Sequence, residues 1–256
     1  HVGVFAHEIG HNLGLWHANA WDSNSYIPYD SNGEHVEYGN DFDVMGDTYT
    51  YITNDGAAAD KLHLNANFKN LLGWIPDDHV KSVTDATYQG RIYAMDQTLV
   101  SGRDYAIRLP VGKYLDGESN LDYWIEHRSR FPELPNLSEG ALVYFGDQLG
   151  RDEASKLLDM NPATSGVHDA GLKVGQAFED VEEHWWIKVL AKGGSGADSY
   201  LDIEVTDLAG RKVLLPDDPQ RVILGEGRLL YTLAALQPDD PFQDLVGWRD
   251  ELIRFD

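Results

Sequence analysis

Apolar residues recur at helical spacing over residues 2–17, where Val4, Phe5, Ile9, Leu13 and Leu15 dominate one side. Gly14 supplies a natural C-terminal stop for that helix. Residues 18–57 are rich in Asn, Asp, Ser, Gly and Tyr and keep no period, which predicts a long structured loop. A second helix is expected from about Ala58 to Leu72, with Leu62, Phe68, Leu71 and Leu72 for packing, ended by Gly73 and kept from renewing by Pro76. Beyond Pro76 the period falls to two. RIYAMD, DYAIRLPV, LDYWIEHR, ALVYFGD, WWIKVLAK and YLDIEVTD alternate, separated by turn-rich pieces such as LPVGKYLDGESN and KGGSGADS. That pattern predicts an antiparallel sandwich or barrel. The expected organisation is a helical part over 1–76, a β-rich part over 77–208, and an unassigned stretch, 209–256, with room for two more strands over 211–236 and an amphipathic DLVGWRDELIRF.

Composition narrows the function classes. The net charge of −23 repels nucleic acid phosphates and anionic membranes, so no nucleic acid partner is expected. No apolar run reaches the ~18 residues of a membrane span. Cysteine is absent, which removes disulfides and thiolate metal sites. The acidity reads first as solubility and second as a source of calcium ligands, for which the loop from Asp22 to Asp47 is the candidate place.

The densest chemistry is HVGVFAHEIGHNLGLWHA. His7 and His11 are four apart, so on a helix their rings share one face and can meet one small cation. Glu8 falls beside that pair, suited to hold a water without binding the metal. His17 is out of helical reach, but a left-handed Gly14 bends the chain back and lets its ring approach the same ion. Three histidines around zinc leave one position open, as catalytic sites do. With this chain's frequencies, HExxHxxGxxH arises by chance on the order of 10⁻⁴ times per chain. The other histidines, His1, His35, His63, His79, His127, His168 and His184, show no ligand spacing.

HEIGHNLGLWH resembles the zinc-binding helix of the metzincin metalloproteases, and DFDVMGD supplies Met45 where those proteins carry a methionine turn. EYGNDFDVMGD and NLLGWI are similar to the gametolysin-like metzincins. Downstream, LLDMNPAT and DAGLKVGQAFED look like the β-rich region that follows such catalytic domains in secreted bacterial members. The resemblance implies an α+β fold, in which the C-terminal part of a metzincin catalytic domain precedes a β-sandwich-like domain. It also implies Zn²⁺ on His7, His11 and His17, Glu8 as general base, and Met45 beneath the site. Asp41 and Asp43 are expected to brace the loop through backbone hydrogen bonds.

The implied activity is endopeptidase action on extracellular proteins, with a polypeptide bound extended and a secreted or cell-surface location. The sequence departs from the family at Asp47, where some members have a catalytic tyrosine; Tyr49 and Tyr51 are the nearest. It also lacks the sheet that precedes the zinc helix, so a chain starting at His1 is expected to be a piece of a longer precursor. A competing expectation is an inactive fragment, or a binding module for cell-wall glycoprotein or carbohydrate using Trp124, Trp185 or Trp186. Of the adjacent pair Trp185 and Trp186, one is expected to face the core and one to face outward.

Overall fold

A computed structural model describes residues 2–23, 27–47, 62–84, 87–115, 119–132, 134–147, 155–164, 166–182, 184–207, 222–224 and 245–248. Residues His1–Arg211 form one compact unit and Lys212–Asp256 another.

In the first unit, helix α1 (Val2–Asn12) leads into strand β1 (Ala18–Asp22) and strand β2 (Glu34–Val36). A short helix α2 (Ala66–Leu71) precedes strands β3 (Val80–Ser82), β4 (Thr87–Tyr93), β5 (Ala106–Leu115) and β6 (Ser119–His127). After a single turn α3 (Pro135–Ser138) come β7 (Gly140–Gly146), β8 (Ser155–Leu158), β9 (Leu172–Lys173), β10 (Ala177–Asp180), β11 (Trp185–Gly193) and β12 (Tyr200–Asp207). The second unit's described residues are β13 (Val222–Leu224) and β14 (Leu245–Trp248), paired in parallel. The fold is α+β and mostly β.

Two sheets build the first unit. The larger runs β2-β1-β8-β7-β6-β5-β3, with β9 also on β7; the smaller runs β10-β11-β12-β4. The smaller sheet is antiparallel, while the larger is mixed because β1 lies parallel to β8 and β3 parallel to β5. The pairing of β1 with β8 draws the segment expected to be a separate helical part into the same sheet as the β-rich part.

Alternation explains the layers. Tyr123 and Ile125 of β6, and Val143 and Phe145 of β7, join Ile187, Val189, Ile203 and Val205 in the core between the sheets. The opposite face of the large sheet, with Trp124, Leu142 and Tyr144, is covered by Phe42, Ala66 and Ile75. The large sheet is therefore buried on both faces, and β7 is buried along its whole length. Strand β12 alternates buried and half-buried positions, as a sheet with one wet face should.

Several expectations need correction. Helix α1 stops at Asn12, and the residues of its apolar side differ in fate: Leu15 is buried, whereas Phe5 is 70% and Leu13 49% accessible. The buried face is Gly3, His7 and Gly10, spaced three and four apart. Helix α2 starts at Ala66, where Asn65 accepts from the Phe68 amide as N-cap; residues 58–61 lie outside the described residues. The stretch LPVGKYLDGESN is mostly strand, continuing β5 and starting β6. Residues 18–57 contain two strands. Trp124 is 2% exposed and presents no binding surface. Trp185 packs against the inter-sheet core, as one of the Trp pair was expected to do. Among the described residues no helix is long and apolar enough to cross a membrane.

Candidate metal centre

Helix α1 ends in a double hydrogen-bonded reversal. The Leu15 amide reaches the Gly10 carbonyl and the Gly14 amide reaches the His11 carbonyl, each at 3.0 Å. Gly14 sits at φ +89°, the left-handed backbone this motif requires. The chain then turns directly into β1, which leaves His17 beside the helix and not beyond its end.

The three rings converge. The centroids of His7 and His11 are 4.8 Å apart, His11 and His17 5.0 Å, and His7 and His17 5.5 Å. One ring nitrogen from each lies within 4.8 Å of the others. The second nitrogen of each ring explains the orientation. His7 Nδ1 donates to the Val44 carbonyl at 2.9 Å, and His11 Nδ1 to the Leu15 carbonyl at 2.9 Å. His17 Nδ1 lies 2.9 Å from Glu37 Oε1. Three acceptors thus place the protons on Nδ1 and leave Nε2 with its lone pair.

The His7 and His11 Nε2 atoms stand 3.1 Å apart. Ligands ~2.0–2.1 Å from one tetrahedral ion are about 3.3 Å from each other, so this pair matches a shared ion. Burial holds the His7 imidazole below its ordinary pKa, with the charges of His11 and His17 acting the same way against the Val44 carbonyl and Glu8. A neutral ring is what a metal ligand must be. The donor set fits a divalent cation that accepts imidazole, without selecting zinc over its neighbours. Among the described residues, this is the one group of three or more ligand-type side chains close enough to share an ion.

Met45 is fully buried beneath the helix, in a small cluster with Leu15, Ala18, Leu64 and Phe68. Gly10 makes room for it, since a methyl group there would overlap the Met45 sulfur. The Met45 carbonyl accepts from the Ala18 amide at 2.9 Å, tying the turn to β1. Asp43 braces the turn as expected: Oδ1 accepts from the Met45 amide at 2.8 Å and Oδ2 from the Asn65 amide at 2.6 Å. Asp41 instead pairs with His168 at 3.2 Å.

A cleft of about 760 Å³ opens beside the histidines. Its lining includes His7, Glu8, Glu37, Tyr38 and Asp47 from the first part of the chain and Asp159, Thr164 and Gly166 from the β-rich part. Glu8 is exposed in this lining, next in sequence to the most buried of the three rings. Asp159, Pro162 and Thr164 of the stretch LLDMNPAT contribute to the cleft.

Two neighbours of the site escaped the sequence reading. Tyr38 has φ +60°, and its ring centroid is 3.9 Å from that of His17. Glu37 holds His17 Nδ1. The register of β1 against β2 pairs Ala20 with Val36, which brings residues 37 and 38 alongside 17–19. No spacing rule reveals such a contact, because it depends on which residues pair in a hairpin whose loop has no fixed length. Tyr49 and Tyr51 lie outside the described residues.

No protein-family model, curated protein or solved structure matches this chain.

Proposed function

We propose that this chain carries the metal centre of a zinc-dependent endopeptidase of the metzincin type, closest in pattern to the gametolysin-like group. One observation supports this most: a ring nitrogen of each of three histidines lies within 4.8 Å of the others, while a carbonyl or carboxylate occupies each Nδ1. A divalent cation held there would supply Lewis-acid polarisation of a peptide carbonyl and would bring the pKa of water near 7. The Glu8 carboxylate, in the cleft lining, takes the proton of the attacking water and hands it to the amide nitrogen as the peptide bond breaks. The cleft lined by Glu37, Tyr38, Asp159 and Thr164 receives an extended polypeptide. Action on extracellular proteins, after secretion or at a cell surface, follows from the resemblance.

The test uses the purified chain, its metal content and casein cleavage. One zinc per chain is expected, with Glu8→Gln keeping the metal and losing roughly 10²–10⁴-fold in turnover. Cleavage by Glu8→Gln at the parent rate would overturn the base assignment. A zinc-loaded parent that cleaves nothing would overturn the peptidase and leave the metal centre standing.

A further inference from the structure

The His7 ring owes its tautomer to the Val44 carbonyl, so whatever holds the turn carrying that carbonyl controls the centre. The turn's shape is local. The Asp43 amide reaches the Asn40 carbonyl at 3.2 Å, the Gly46 amide the Asp43 carbonyl at 3.1 Å, and the Phe42 amide Asn40 Oδ1 at 3.1 Å. Its placement is not local. At the end of β6, 86 residues further along the chain, Arg128 donates from Nη1 to the Phe42 carbonyl. The same guanidinium donates from Nε to Glu126 Oε1 at 2.7 Å. Glu126 Oε2 in turn accepts from the Ala66 amide at 2.6 Å and from the Tyr144 hydroxyl at 3.0 Å. Arg128 and Glu126 are 1% and 0% exposed.

This pair is poor material for stability alone. Removing two charges from water costs much of what their attraction returns, and apolar replacements of such pairs are often neutral. Among the described residues, Arg128 Nη2 has no partner, which adds to the cost. What the fork provides is position: one rigid plane fixes the Phe42 carbonyl and a carboxylate that itself grips the start of α2.

We propose that Arg128, oriented by Glu126, is a positioning residue for the metal centre: it fixes the Phe42–Met45 turn from the β-sheet, and thereby holds the Val44 carbonyl where it selects the His7 tautomer. The inference rests on the metal-centre reading of the three histidines. It gives the β-rich part a direct hold on the site, acting through Phe42 and Val44 and touching neither metal nor substrate.

Two variants test it. Arg128→Lys keeps the charge but cannot span both acceptors. Glu126→Gln with Arg128→Met removes the pair without leaving an orphan charge, and keeps an oxygen for the Ala66 amide. The readouts are ¹⁵N NMR of the His7 ring in the metal-free chain, zinc affinity, and metal-free melting temperature. In the parent, His7 is expected as the Nδ1–H tautomer. Both variants should mix in the Nε2–H form and lose about tenfold or more in zinc affinity, with melting shifts of a few degrees.

Folded variants with unchanged His7 signals and zinc affinity within twofold of the parent would overturn the proposal. Loss of fold in both would also overturn it, by making the pair a stability element. A parent that binds no zinc would sink the metal-centre reading, yet the His7 tautomer would still report on Arg128.

Discussion

The φ of +89° at Gly14 lets the chain reverse after His11, which brings His17 to the helix and sets the Leu15 carbonyl against His11 Nδ1. A Cβ there meets nothing within 4 Å, so the cost of Gly14→Ala is conformational, about 1–2 kcal/mol. The metal-free melting temperature is expected to fall by about 2–8 °C, with zinc bound more weakly. Gly14→Asn should do less harm, since asparagine tolerates this backbone. Calorimetry with a zinc titration reads both effects; an alanine variant equal to the parent in each would contradict the role given to the turn. The three histidines, Gly14 and Met45 were legible because their relations are short-range or carried by a motif. Glu37, Tyr38 and the Val44 carbonyl were not. Each meets its histidine across 20 to 37 residues, through a hairpin register and a turn that no local spacing encodes.

Element by element, legibility followed environment. The β-rich strands were found wherever alternation is strong, and β12 is the clearest case because one face is wet. Strands β1, β2 and β8 are short and lie at or near the edge of the large sheet, and their sequences, such as ANAWD and EHV, show too little alternation to stand out from loop. The first helix misled in a more instructive way. Its large apolar residues share one side, yet of these Phe5, Ile9 and Leu13 are exposed, and the buried face of the helix is Gly3, His7 and Gly10. Close approach of the Met45 sulfur to the backbone at Gly10 demands a missing side chain, so the packing face is marked by small residues and not by large ones. Both helices end in the same reversal: at α2 the Trp74 amide reaches the Lys69 carbonyl at 2.8 Å and Gly73 takes φ +70°. Both glycine stops were readable, because only that residue adopts the conformation cheaply.

Across the first unit, one doubly buried sheet unites what the change of period at Pro76 suggested were two parts. The boundary in sequence texture is real, but β1 crosses it to pair with β8, and a parallel partner so distant in sequence leaves no local trace. Two histidines are held neutral by their surroundings, His127 in the large sheet and the half-buried His63 just before α2. Burial, aided by the positive charges of Lys69, Arg128 and Arg130, lowers the His63 pKa to about 3. Burial lowers that of His127 to about 4, against the Gly140 carbonyl and Asp96. Below the ordinary value of 6.5 the unfolded chain takes up protons that these folded rings refuse. Their contribution is therefore full above pH 6.5 and lost on acidification toward the folded values, by about 1.4 kcal/mol per pH unit per ring. Asp43 works the other way: burial raises its pKa to about 6, so its contribution is full below 3.8 and lost as pH rises through 6. Burial also lowers the His7 pKa and raises those of Asp41, Asp104 and Asp159, so both signs are spread over several groups. His127→Gln isolates one of them: between pH 6.5 and 4.5 the metal-free variant should lose less stability on acidification than the parent, by about one proton's worth of slope. An equal slope in variant and parent would contradict the neutral, buried state of His127.

The proposed centre depends on three imidazoles sharing one ion, and X-ray absorption at the zinc edge of the loaded protein measures that directly. Three imidazole nitrogens at about 2.0–2.1 Å are expected, with the imidazole scattering reduced in His7→Ala, His11→Ala and His17→Ala alike. Zinc that is not retained, or a spectrum unchanged when any one of the three is removed, would contradict the shared centre.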